Sequence, residues 1–67
     1  MRGDDAVDDV RERLQSVADD LADLALDALR RAVDDGPEAA GEERRLTRAR
    51  RAVEKALAVL GERSADD

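Results

Sequence analysis

Between Val7 and Leu24 the large apolar residues fall at Val7, Val10, Leu14, Val17, Leu21 and Leu24, an unbroken alternation of three and four. Residues so spaced are neighbours on the surface of an α-helix, so the pattern predicts one long apolar stripe. Leu26, Leu29 and Val33 widen that stripe onto an adjacent face. Further on, Leu46, Ala49, Val53, Ala56, Leu57 and Leu60 share one face of a second helix. Between the two segments stands Gly36-Pro37, where glycine can take the left-handed position that closes a helix and proline cannot continue one. No period-two run appears, and Ile and aromatic residues are absent, so no strand is expected.

The elements follow from these signals. One all-α domain is expected over residues 1–67, with a first helix at about 5–34, a turn at 35–37 and a second helix at about 38–60. Residues 61–67 are expected to form a disordered polar tail. Asp4 or Asp5 suits the N-cap, and the aspartates at 4, 5, 8 and 9 sit where the helix dipole favours negative charge. Asp27 with Arg30 and Arg31 offers local ion pairs near the far end. The second helix can open at Pro37, a favourable first position, or near Glu42 after Gly41. A mid-helix glycine costs only about 1 kcal/mol and does not decide between them. Gly61 is the expected terminator.

A short turn between two amphipathic helices gives an antiparallel hairpin. Folding the chain at Gly36 is expected to bring Leu29 near Leu46, Leu21 near Val53, and Val17 near Leu57 and Leu60. Val7 and Val10 would then run two or three turns past the end of the second helix, and Leu26 and Val33 would lie off its seam. These uncovered residues predict pairing of two hairpins into a four-helix bundle across a two-fold axis. The expected self-association or partner face is Val7, Val10, Leu14, Val17, Leu26 and Val33. Its occupant is a second copy, giving a homodimer, or a helical partner protein.

Composition narrows the chemistry. Sixty-seven residues contain six Val and eight Leu as their large aliphatics, with much of the remaining apolar content alanine. A chain this small, with no Cys to staple it, is expected to be marginal as a monomer. The lack of Cys and His removes disulfides, thiol chemistry, the commonest general base and the commonest metal ligand. No apolar stretch approaches the roughly 20 residues of a membrane span, so a membrane role is not expected and the cytoplasm is the expected location. Ser16, Thr47 and Ser64 have no neighbouring base, so no nucleophile is expected. The expectation is a protein that is not an enzyme and carries no cofactor and no metal.

Two charge patterns remain. Asp4-Asp5-Ala6-Val7-Asp8 and Asp19-Asp20-Leu21-Ala22-Asp23 both read Asp-Asp-x-x-Asp, which resembles the aspartate-rich motif with which helical prenyl-chain synthases hold magnesium diphosphate. Here both copies lie on one helix, whereas a metal clamp needs facing helices, and the pattern reads as a solvated acidic face. On the second helix Arg44, Arg48, Arg51 and Lys55 form one column amid Arg45 and Arg50. Like charges at that spacing repel, so something acidic should face them. Asp19, Asp20, Asp23 and Asp27, in the same hairpin or a second copy, are the expected answer. The alternative is phosphate or nucleic acid, which arginine suits. Against nucleic acid stand a net charge of −6 and the absence of any aromatic residue for base stacking. The leading functional expectation is therefore a small interaction or scaffold protein. A phosphate- or nucleic-acid-binding accessory protein is the alternative.

Overall fold

The structure is a computed structural model that describes the backbone of residues 2–62 and the side chains of residues 5–62. It contains two helices, α1 (Arg2–Asp35) and α2 (Pro37–Gly61), packed against each other as a hairpin. α1 begins three residues before the expected Asp5, which places Asp4 and Asp5 inside its first turn rather than at its cap. α2 begins at Pro37, so Gly41 lies within it. Gly61 is its last residue, and Glu62 is extended, with its N–H donating to the Val59 carbonyl at 3.1 Å. The expected tail lies outside the described residues beyond Glu62.

A single residue makes the turn. Gly36 has φ +81 and ψ −141, a conformation that a Cβ would strain. Its N–H donates to the Ala32 carbonyl at 3.0 Å, closing α1. Its carbonyl accepts from the Ala40 N–H at 3.1 Å, opening α2. Pro37 follows at the position where its missing N–H costs nothing.

The seam between the helices differs from the expected one. On α1 the covered positions are Leu14, Ala18, Leu21, Ala22, Ala25, Ala28 and Ala32, and on α2 they include Leu46, Arg50, Val53, Leu57 and Leu60. Among the described residues the buried ones are all alanines: Ala18, Ala25, Ala28 and Ala39. Leu29 is 53% exposed and Val17 43%, so neither lies under α2 as the sequence pairing proposed. Alanines let two helix axes approach toward the short end of the roughly 8–10 Å range, and the larger residues are displaced to the rims of so close a contact. The register is uniform, because Arg31 meets Glu42 near the turn while Arg11 lies against Gly61 at the other end. α2 therefore reaches the level of Arg11. Val10 lies at its end rather than two or three turns beyond.

The hairpin measures 51 × 21 × 11 Å. It is one helix thick. Folded domains ordinarily bury their apolar faces between at least two layers, and the described residues form one.

Candidate interaction surfaces

Heptad arithmetic sorts the apolar residues of α1 around its circumference. The rows Val7-Leu14-Leu21-Ala28 and Arg11-Ala18-Ala25-Ala32 lie side by side and carry the covered seam. On one side of them runs Val10-Val17-Leu24-Arg31. On the other run Asp8-Gln15-Ala22-Leu29 and Glu12-Asp19-Leu26-Val33. Seating α2 on the alanines leaves a strip of large aliphatics uncovered along each flank. Val7, Val10, Val17, Leu24, Leu26, Leu29 and Val33 are all exposed, Val33 to 84%.

The flanks can be assigned to the two broad faces of the hairpin. Arg31 ends the Val10-Val17-Leu24 row, and its Nη2 stands 3.4 Å from Glu42 Oε1 on α2. Glu42 begins the row Glu42-Ala49-Ala56, which is flanked by Arg45-Ala52-Val59. These residues therefore border the same face as Val10, Val17 and Leu24. The opposite groove is lined by Asp8, Arg11, Glu12, Gln15 and Leu57, which places the rows of Leu29, Leu26 and Val33 on the other face. Of the six residues singled out in the sequence, Val10 and Val17 share one face, Leu26 and Val33 share the other, and Leu14 is half-covered by α2. Val7 stands in the row of Leu14, toward the N-terminal end. One seam cannot gather all six. Leu24, Ala49, Ala56 and Val59 complete the first face. The spacing of seven between Val10, Val17 and Leu24 is the signal that would have picked this row out.

The first face is apolar from Val10 to Leu24 and charged toward the turn, where Arg31, Glu42 and Arg45 lie, whereas the second is apolar only toward the turn, where Leu26, Leu29 and Val33 gather. Toward the other end it carries Asp8, Glu12, Gln15 and Asp19.

The basic column lies on the outer side of α2. Arg44, Arg48, Arg51 and Lys55 are all exposed, and among the described residues none lies in an ion pair within 4 Å. The pairing with Asp19, Asp20, Asp23 and Asp27 of the same hairpin does not form, because the two sets face outward from opposite helices. Asp19 instead accepts from Gln15 Nε2 at 3.2 Å, and Arg31 turns to Glu42 rather than Asp27. With Gly41, Glu43, Arg45 and Thr47, three of the arginines border a shallow depression of about 640 Å³. Thr47 Oγ1 donates to Glu43 Oε2 at 2.8 Å, which places a carboxylate beside that basic surface.

Arg50 occupies the seam itself. Its Nε is buried and has no hydrogen-bond partner among the described residues, and Glu54 Oε2, at 3.9 Å, is beyond hydrogen-bond reach. Among the described residues no group of three or more acidic side chains is placed to hold a metal ion, and no helix is long and apolar enough to cross a membrane. No protein-family model, no curated protein and no solved structure matches the chain.

Proposed function

We propose that this chain is a non-enzymatic helix-docking module that works by self-association, two hairpins forming a four-helix bundle. The observation that carries the reading is the missing layer. The hairpin is 11 Å thick, and the described residues bury no large side chain completely. A second hairpin on one broad face would give the exposed valines and leucines the cover that the alanine seam withholds from them. Sedimentation equilibrium at micromolar concentration tests it, with twice the chain mass expected and a strict monomer of cooperative stability overturning it.

A second reading has one observation in its favour. The exposed column of Arg44, Arg48, Arg51 and Lys55, without an ion pair among the described residues, would suit phosphate, whether free or on a nucleic acid. Its weakness is electrostatic, since the whole chain carries −6. That reading requires salt-sensitive retardation of mixed nucleic acids, lost when Arg48 and Arg51 become Glu. Unchanged mobility at low salt removes it.

A further inference from the structure

The hairpin is electrically lopsided. α1 carries eleven acidic and five basic residues, and α2 four acidic and six basic. Any second copy must reconcile those charges while covering the apolar face. Two symmetric arrangements bring the Val10-Val17-Leu24 faces together. In one, the two-fold axis runs across the helices and stacks α1 on α1 and α2 on α2. In the other, it runs along the hairpin and stacks each α1 on the partner's α2.

Register separates them. The Arg31–Glu42 pair fixes the level of the two helices. Seven residues back along α1 and seven forward along α2, Leu24 stands level with Ala49, and seven further Val17 stands level with Ala56. An axis along the hairpin preserves these levels between copies. Leu24 then meets the partner's Ala49 and Val17 the partner's Ala56, while Val10 stands at the end of the partner's α2, about one turn past Val59. At these two levels large residues of one helix face small residues of the other, as in the seam within each hairpin. An axis across the helices centred on Val17 is also centred on Ala56, five residues before the end of α2, and most of the alanine row then overhangs. Centred instead on Leu24 and Ala49, it covers α2 along its length but sets Val17 against the partner's Arg31 and Ala56 against the partner's Glu42. With either centre, acidic helices are stacked on each other.

Charge points the same way. On the outer rim of this face α1 presents Asp20 and Asp27, and α2 presents Arg45, Arg48 and Lys55, all exposed. With the axis along the hairpin, Asp27 falls beside the partner's Arg45 and Arg48, and Asp20 beside the partner's Lys55. The acidic partners that Arg45, Arg48 and Lys55 lack among the described residues of their own hairpin are supplied by the other copy.

We infer that a second copy docks on the Val10-Val17-Leu24 and Ala49-Ala56 face, about a two-fold axis parallel to the helices, with the Asp20-Asp27 rim of each α1 against the Arg45-Arg48-Lys55 rim of the other α2. This inference rests on the self-association proposed above. The chain contains no cysteine, so introduced thiols report without background. Val17→Cys and Ala56→Cys chains are refolded alone and as an equimolar mixture, then oxidised after their masses are measured. Disulfides need Cα atoms within about 7 Å, a condition met by adjacent helices and not by diagonal ones. Cross-linked dimer in the mixture, and little in either chain alone, is the expected result. Dimers in which Val17→Cys links to itself, or in which the mixture fails to link, overturn the arrangement and leave self-association standing. Monomers of the unmodified chain overturn both. A pair of full-charge variants gives an independent readout. Asp20→Lys/Asp27→Lys and Arg45→Glu/Arg48→Glu are each expected to self-associate at least tenfold more weakly than the parent chain, and mixing them is expected to restore a mixed dimer. Unaltered association of each variant alone, with no preference for the mixed species, counts against the rim pairing.

Discussion

Arg50 shows what a single side chain does when it falls at a core position with no hydrogen bond for its Nε among the described residues and a carboxylate, Glu54, only at ion-pair distance of 3.9 Å. It takes the place in the α2 seam between Leu46 and Val53, where the repeat calls for an aliphatic residue. Its stem contributes covered apolar length while its Nε is shut away from water without a hydrogen bond among the described residues. An unsatisfied buried donor costs on the order of 1–3 kcal/mol, and the partly open guanidinium places Arg50 toward the lower end of that range. Arg50→Leu is therefore expected to raise stability by about 1 kcal/mol, read as a higher urea midpoint with unchanged slope. The glycines give opposite signs from the same substitution. Gly36→Ala forces a Cβ into positive φ and should destabilise by roughly 1–3 kcal/mol. Gly41→Ala, in mid-helix and with only the ends of Arg44 and Arg45 near its Cβ at 3.9 Å, should stabilise by about 1 kcal/mol. Thermal melts of the two variants beside the parent check the pair.

At the scale of the elements, the close approach of α1 and α2 depends on alanine. Ala28 is fully buried and Ala18 nearly so. Ala28→Leu should wedge the helices apart and cost roughly 1–3 kcal/mol, as overpacking of a tight contact does. Loss of helix signal at lower urea concentration would register it. This dependence also explains which parts of the fold the sequence could reveal. Gly36-Pro37 marks the turn because each residue has a backbone property that the turn requires, and the three-four alternation marks both helices. The seam was misplaced because alanine carries little apolar area, so the valines and leucines dominated the pattern although the helices pack on the small residues between them. The same displacement divided the candidate face. Leu26 and Val33 continue the stripe in the sequence, but α2 lies between their rows and that of Val10 and Val17, and only the position of α2 reveals it. The charge pairing was misread for a related reason. Equal height along a hairpin does not bring two side chains together when each points away from the other helix.

For the whole molecule, the decisive property is how stability depends on concentration. A monomer unfolds at a temperature indifferent to the amount of chain present. A bundle of two hairpins, whose apolar faces have no cover apart from each other, unfolds and dissociates together and is stabilised by mass action. A hundredfold rise in concentration adds about 2.7 kcal/mol per dimer, which for a bundle of this size raises the midpoint by roughly 10 °C. The two broad faces make the measurement specific. Val17→Glu, or Leu24→Glu, places a charge against the partner's alanine row. Either variant should abolish the concentration dependence and lower the midpoint. Leu26→Glu/Val33→Glu alters two residues also exposed, on the opposite face, and should leave both the midpoint and its slope with concentration unchanged. A greasier surface in general would respond to both sets alike, whereas a single docking face responds to one. If the second set, and not the first, removes the dependence, the bundle forms through the face near the turn, where Leu26, Leu29 and Val33 gather, and the alanine row of α2 is left facing water.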